Sequence, residues 1–258
     1  RFFDLRFNCP TNAGLLLFGK NPEYFIFGAY IQYVQFRGTT LGTEILTEFK
    51  FSGSLYAILA KLDTFIETAV IKKQPVPVSL LREETVNNYA KWAIRELMMN
   101  AVMHRDYESH TPIRFYEFSN RLELMNAGGL YGNARPENFP HVNDYRNPVI
   151  AEAMKVLGYV NRFSRGVARV KEELLENGNG VAIFDFSKLT VFDVKISISA
   201  HYLLHTDPVT DPVTDPVTDP VTDPVMQLLN LLSKEELSSG EMRSKLGIKH
   251  RQTFRDNY

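Results

Sequence analysis

Arg95-Glu96-Leu97-Met98-Met99-Asn100-Ala101-Val102-Met103-His104-Arg105-Asp106-Tyr107 is the stretch on which the reading of this chain turns. Wound as an α-helix at about 100° per residue, it brings Glu96, Asn100 and His104 within an arc of about 80°. Tyr89 and Ala93 share that arc, Trp92 and Leu97 flank it, and Lys91 and Arg95 lie on another face. A carboxylate and an amide are thus aimed among apolar groups, where an unpaired polar atom is costly. Two readings follow. Either the three side chains satisfy one another in a core network, or they wait for a ligand, a water or a metal.

Working outward, the pattern predicts this helix over about Glu84–Met103, after a break at Pro75 and Pro77. Before it, Ser52–Ile71 carries Leu55, Ile58, Leu59, Leu62, Phe65 and Ile66 at helical spacing. Residues 11–38 read as strands, with an apolar run at Ala13–Phe18 and a β-branched and aromatic run at Tyr24–Phe36. After the helix, Pro112–Phe118 and Arg121–Met125 read as two strands joined at Ser119-Asn120. Asn126–Asn147 reads as a loop, with Gly128, Gly129, Gly132, Pro136, Pro140 and five asparagines. Helices are expected at about Pro148–Leu157 and Arg165–Leu175, a turn at Gly178 and Gly180, and strands at Ala182–Phe186 and Val191–Ser199.

The grammar changes at Thr206, where five copies of Thr-Asp-Pro-Val run to Val225. A proline at every fourth residue forbids a helix interior and a central strand, and the aspartates add self-repulsion. The expectation is an extended spacer of about 60 Å at the polyproline rise; the alternative is a repeat laid as an edge strand on a neighbour. Met226–Tyr258 then has helix-turn-helix order. Leu228, Leu229, Leu231 and Leu232 make one apolar helix, Ser238 and Ser239 can cap a second, Gly247 turns, and His250–Asn257 begins a third. Arg243–Arg255 holds five Lys or Arg and no acid, which suits phosphate contact; a solvated face of a protein-interaction module is the other reading. Lys249, His250, Arg251, Thr253 and Arg255 are the candidate DNA-binding residues.

Composition sets the outer bounds. The chain has 258 residues, 44% hydrophobic and 23% charged, with a net charge of −1, ordinary for a globular protein. No overall charge drives it to nucleic acid or membrane, so such a partner needs a local patch. Cys9 stands alone, which excludes an internal disulfide and a cysteine zinc cluster and fits a reducing cytoplasm. No apolar run approaches the roughly 20 residues of a membrane span. The chain opens on Arg1 rather than a methionine and reads as a piece of a longer protein.

Glu96-x-x-x-Asn100-Ala101 on a helix resembles the N box of the GHKL superfamily. More widely, residues 10–199 resemble a narrower family called RecG-like ATP-dependent helicases or transcriptional regulators. The resemblance rests on Pro-Thr-Asn-Ala-Gly-Leu-Leu-Leu-Phe-Gly-Lys (10–20), Glu96–Tyr107, Arg-Leu-Glu-Leu-Met-Asn-Ala-Gly-Gly-Leu (121–130) and Arg-Asn-Pro (146–148). It implies an α+β fold, a GHKL or histidine-kinase-like ATPase sandwich binding ATP with Mg²⁺. By position, Asn100 would help hold the metal and Glu96 would activate the attacking water. The first glycine box, Asp-x-Gly-x-Gly in the superfamily, stands here as Asn126-Ala127-Gly128-Gly129; the Asn oxygen accepts a bond from the adenine amino group without charge. The second stands as Ser164-Arg165-Gly166, one glycine short, with Arg165 placed to contact phosphate. His104 completes the candidate nucleotide residues. The resemblance also implies an Alba-type, Schlafen-like domain ahead of this region, and the tail is similar to the start of a winged helix.

Two motifs are set aside. Gly14–Asn21 nearly spells a P-loop but lacks the final hydroxyl residue, and its bulky interior reads as a buried strand. Without a P-loop nothing supports a helicase motor. His104-Arg105-Asp106 is similar to a kinase catalytic loop, but Thr111 stands where that motif needs Asn. The remaining histidines show no metal-ligand spacing. The expected layout is therefore an α/β segment at 1–85, a GHKL-like nucleotide-binding domain at 86–200, a linker at 201–225 and a truncated winged helix-turn-helix at 226–258. The expected function is a bacterial, cytoplasmic, DNA-binding transcriptional regulator with a nucleotide-sensing or weakly hydrolysing domain, working as a homo-oligomer such as a dimer. The alternative is a scaffold on a degenerate GHKL fold that binds no nucleotide.

Overall fold

The computed structural model describes residues 1–142, 144–160 and 166–205. Arg165, the Thr-Asp-Pro-Val repeat, the helix-turn-helix and the five candidate DNA-binding residues lie outside the described residues.

In chain order the elements are β1 (Phe3–Asp4), β2 (Cys9–Pro10), α1 (Asn12–Phe18), β3 (Ile31–Phe36), β4 (Ile45–Phe51), α2 (Leu55–Phe65), β5 (Lys73–Ser79), β6 (Arg82–Asn87), α3 (Lys91–His104), β7 (Ile113–Phe118), β8 (Arg121–Ala127), α4 (Pro148–Val156), α5 (Gly166–Glu176), β9 (Ile183–Asp185), β10 (Val191–Ser197) and α6 (Ala200–Leu203). Six strands form one mixed sheet in the order β4-β3-β7-β8-β10-β9. Only the β3–β7 pair is parallel; β3–β4, β7–β8, β8–β10 and β9–β10 are antiparallel. This is the expected mixed α+β architecture, a layer of helices on a sheet.

Period-two alternation fixes which face the helices cover. Ile31 and Tyr33, Ile113 and Phe115, Leu122 and Leu124, and Val194 and Ile196 are all buried and share one core with α1 to α5. The opposite face carries charged side chains, such as Glu123 paired with Arg121 at 2.7 Å and Lys195 at 3.5 Å. A small apolar cluster of Val34, Phe36 and Phe118 sits at one end of that face. The sheet and core run across residues 85 and 86, since β3 and β4 join the strands of the later segment.

Several local expectations are corrected. The apolar run at Ala13–Phe18 is a helix, not a strand: Thr11 caps it by accepting from Gly14 N at 3.1 Å, and Leu16 and Leu17 are buried. Tyr24–Phe36 becomes a strand only at Ile31, because Pro22–Tyr24 form a 3₁₀ turn. Residues 84–87 belong to a hairpin, so α3 begins at Lys91. Pro75 and Pro77 lie in β5 of a two-stranded sheet; two residues apart, both ring nitrogens face the outer edge, where no donor is needed. The expected loop loses its first two residues to β8, and β4 adds a strand that was not anticipated. The helix expected over Ser52–Ile71 is α2, continued by a π turn at Ile66–Val70. Among the described residues, no helix is long and apolar enough to cross a membrane.

Candidate nucleotide site

α3 buries Ala93, Ile94, Leu97, Met98, Ala101 and Val102, which orients its polar stripe. Asn100 donates its amide nitrogen to Glu96 Oε1 at 3.4 Å, so its carbonyl oxygen is the end left to accept. Burial raises the Glu96 pKa above the usual carboxylate range; the Asn100 hydrogen bond and the charges of Arg95 and Arg169 partly offset it. One turn on, His104 stacks on Tyr145, centroids 5.5 Å apart. Burial, helped by the charge of Arg146, pushes its pKa down to about 4, so the ring is neutral at pH 7. Gly166 opens α5 directly against this stripe: a Cβ there would overlap the Glu96 carboxylate. The atoms met are the far end of the Glu96 side chain, which would have to move aside for any larger residue.

β8 brings the second group. Asn126 faces the helices, opposite Phe192, with Leu124 and Val194 on the same face. It is 5% exposed, and its Oδ1 is buried with no hydrogen-bond partner. The chain then turns at Gly128 with φ +94°, and Gly128 N donates to Thr190 O at 2.8 Å. At Gly129 a Cβ would stand 2.5 Å from Leu189 O, another close backbone approach.

Arg146-Asn147-Pro148 ties this turn to the end of α3. Asn147 donates to Met103 O at 3.0 Å and Arg105 O at 2.7 Å, capping the helix. Arg146 donates to Gly129 O at 3.2 Å and lies over the Tyr131 ring. Pro148 starts α4 with its fixed φ.

Between α3, the β8–β10–β9 end of the sheet and the 128–144 segment lies a cavity of about 110 Å³. Leu97, Ala101, Leu124, Phe184, Phe192 and Val194 make it apolar; Asn100, His104, Asn126, Tyr131 and Asp144 are its polar side chains among the described residues. Asp144 is already engaged, accepting from Asn133 N at 2.6 Å and Asn133 Nδ2 at 3.0 Å. The structure thus brings Asn100, His104, Asn126, Gly128 and Gly129 to one cavity, with Val167 beside Gly166 on its wall. Glu96 sits behind Asn100, under Gly166. Among the described residues, no group of three His, Cys, Asp or Glu could hold a metal ion. A cation here would rely on Asn100 and on oxygens a ligand brings, as Mg²⁺ commonly does with phosphates.

The aromatic wall was not anticipated. Phe139 lies 5.3 Å from Phe184 and 5.8 Å from Phe192, and closes the cavity over β9 and β10. The alternation of Phe184 and Phe186, one face of a short strand, was the available signal. The roles of Arg146 and Asn147 as a clasp are likewise visible only in three dimensions.

Residues 223–258 match the family described as "Filamentation induced by cAMP protein Fic-like, C-terminal domain". Among solved structures, the chain is similar to the DIP2311 protein from Corynebacterium diphtheriae, at 20% identity and a TM-score of 0.65. That likeness covers 99% of this chain and 50% of that one, so this chain spans about half the length of its structural relative. At such identity the likeness is one of fold. No curated protein sequence matches the chain. Residues 110–196 match the family described as "Putative ATP-dependent DNA helicase recG C-terminal". The match runs from ahead of β7 through both glycine segments to β10 and supports a RecG-like, GHKL-type ATPase domain there; α3, with Glu96, Asn100 and His104, lies ahead of the matched residues.

Proposed function

We propose that this cavity binds an adenine nucleotide with Mg²⁺, and that the chain is a DNA-associated regulator whose nucleotide domain senses or slowly hydrolyses that ligand. The observation that carries the reading is the buried, unpartnered Oδ1 of Asn126 at the apolar floor of the cavity. A buried acceptor left unpaired is costly, and an exocyclic amino group of a flat base supplies the missing donor. The half-buried rim holds the polar end of the ligand. There the backbone at Gly166 approaches closely, and the Asn100 carbonyl oxygen is of the hard type a Mg²⁺–phosphate unit accepts. The metal, when bound, neutralises phosphate charge. Glu96 is within reach of Asn100, and its raised pKa makes it a stronger base than an exposed carboxylate. His104, neutral and stacked, adds no charge to repel or attract phosphate.

Calorimetric titration of the full chain tests this reading. Binding of ATP or ADP that strengthens with Mg²⁺ supports it; no heat at millimolar nucleotide contradicts it. If turnover is present, Glu96→Gln removes it and leaves affinity largely intact, because a general base acts in the chemical step. Equal loss of both would make Glu96 a structural residue.

The regulator half of the proposal rests on the tail. Five basic residues fall within Arg243–Arg255 in a chain of net charge −1. Lys249, His250, Arg251, Thr253 and Arg255 are the proposed contacts, with Arg251 and Arg255 four residues apart, as two groups on one helix face would be. Fluorescence anisotropy with duplex DNA at roughly 50 mM salt, where phosphate contacts are strong, is the measurement. Loss of affinity in the double variant Arg251→Ala, Arg255→Ala supports DNA binding. An unmoved curve, or no affinity at all, makes the tail a protein-interaction module.

A further inference from the structure

The deep end of the cavity carries an inference about base selectivity, resting on the nucleotide reading above. Asn126 is 5% exposed, whereas Asn100 and His104 are only half-buried. A nucleotide keeps its charged phosphates near solvent, so its base lies at the Asn126 end. On its own face of the sheet Asn126 is flanked by Leu124, Phe192 and Val194, side chains with no charge and no hydrogen-bond donor. On that sheet face Asn126 is the side chain able to read the edge of the base.

Asn126 is an amide, and its two ends differ in kind. The oxygen accepts; the nitrogen donates; the two are nearly equal in size and exchange by a half-turn of the terminal group. Among the described residues no side-chain hydrogen bond pins this amide in one orientation. A 6-amino group on a purine is met by Oδ1. A 6-oxo group is met, after the half-turn, by the amide nitrogen. The ring nitrogen beside it switches from acceptor to donor in the same change, and the apolar wall holds no fixed group against that switch. A carboxylate at this position could only accept, and would face the 6-oxo oxygen with charge against lone pairs.

We propose that Asn126 makes this site tolerant at the purine six-position, so that it takes 6-oxopurine nucleotides as well as adenine nucleotides. The ligand class is purine nucleotides in general, and Asn126 is the residue that sets it.

The test compares ATP with inosine triphosphate, which differs from it only at the six-position and its coupled ring nitrogen. Both are titrated calorimetrically with Mg²⁺ into the full chain and into Asn126→Asp. The expected result is that the unmodified chain binds the two within about tenfold, and that Asn126→Asp shifts the ratio toward ATP by about 100-fold, as when a site built for one hydrogen-bond pattern meets the other. If the unmodified chain binds ATP but rejects inosine triphosphate by 100-fold or more, the inference falls while the adenine-nucleotide reading stands. If a folded Asn126→Asp leaves the ratio unchanged, Asn126 does not read the base and the inference falls. If the unmodified chain binds neither nucleotide, both readings fall together. The ratio in the unmodified chain needs no variant, so poor folding of Asn126→Asp does not protect the proposal.

Discussion

Asn179 and Asn126 are equally buried, at 4% and 5% exposure, and serve opposite ends. Asn179 uses its whole side chain. It donates to Asn88 O at 2.9 Å and Ser197 O at 2.8 Å, and accepts from Ala90 N at 3.2 Å and Asn177 Nδ2 at 2.8 Å. Ala90 precedes α3 and has no side-chain cap of its own, so Asn179 anchors the start of that helix. Asn126 faces the other half of α3 and leaves its oxygen unpaired beside a cavity. Burial alone therefore says little about function. A buried amide whose hydrogen bonds are complete is structure; one left open toward a cavity is where a ligand belongs.

Four experiments press on that contrast, from the largest expected effect to the smallest. Asn179→Ala takes the acceptor from the Ala90 N–H and one donor each from Ser197 O and from Asn88 O, which keeps Ser199 N. It is expected to cost about 3–4 kcal/mol in denaturant unfolding. A loss under about 1 kcal/mol would show that water replaces the network.

The second concerns pH. The His104 pKa lies at about 4 in the folded chain and near 6.5 when unfolded. Between these values the unfolded chain binds a proton that the folded chain refuses. Stability present above about pH 6.5 is therefore lost as pH falls toward 4, by about 2–3 kcal/mol. Comparing unfolding of the unmodified chain with His104→Phe across that window isolates the contribution. Equal slopes would mean that His104 is not held neutral.

The third acts on ligand rather than stability. Gly166→Ala places a methyl group into the Glu96 carboxylate, and the displacement is expected to weaken nucleotide binding by about 1–2 kcal/mol. Unchanged affinity in titration would remove Gly166 from the site.

The smallest effect is the sharpest contrast with the first. Asn126→Ala deletes an acceptor that has no partner, so unfolding free energy is expected to stay within about 0.5 kcal/mol while nucleotide affinity drops. A destabilisation matching that of Asn179→Ala would mean that the two residues are alike after all.

Much of this was legible in the sequence, for physical reasons. The Glu96, Asn100 and His104 stripe follows from helical period alone, and β7, β8, α4, α5 and β10 from alternation and punctuation at Pro148, Gly178 and Gly180. Ala13–Phe18 misleads because a short apolar run has no period to distinguish helix from strand; Thr11, a good cap, is the cue that favours the helix. Pro75 and Pro77 signalled a break because an edge hairpin, which tolerates them, cannot be told from a loop in one dimension. β4 has an alternating pattern at Ile45, Thr47, Phe49 and Phe51 but follows a loop of threonines and glycines that hid its start. The site residues on α3 and at Asn126–Gly129 were found by motif. Their closure by Phe139, Phe184 and Phe192, and the completeness of the Asn179 network, depend on contacts between distant segments that no local pattern encodes.

The central claim is that the cavity between α3 and β8 is where nucleotide binds. Amide hydrogen exchange of the full chain, with and without Mg²⁺ and ATP, locates the ligand directly. The account predicts slower exchange in peptides covering residues 96–104 and 124–131, with the β5–β6 hairpin unchanged. Exchange unaltered at both cavity walls under saturating nucleotide, or protection confined to other segments, would contradict it.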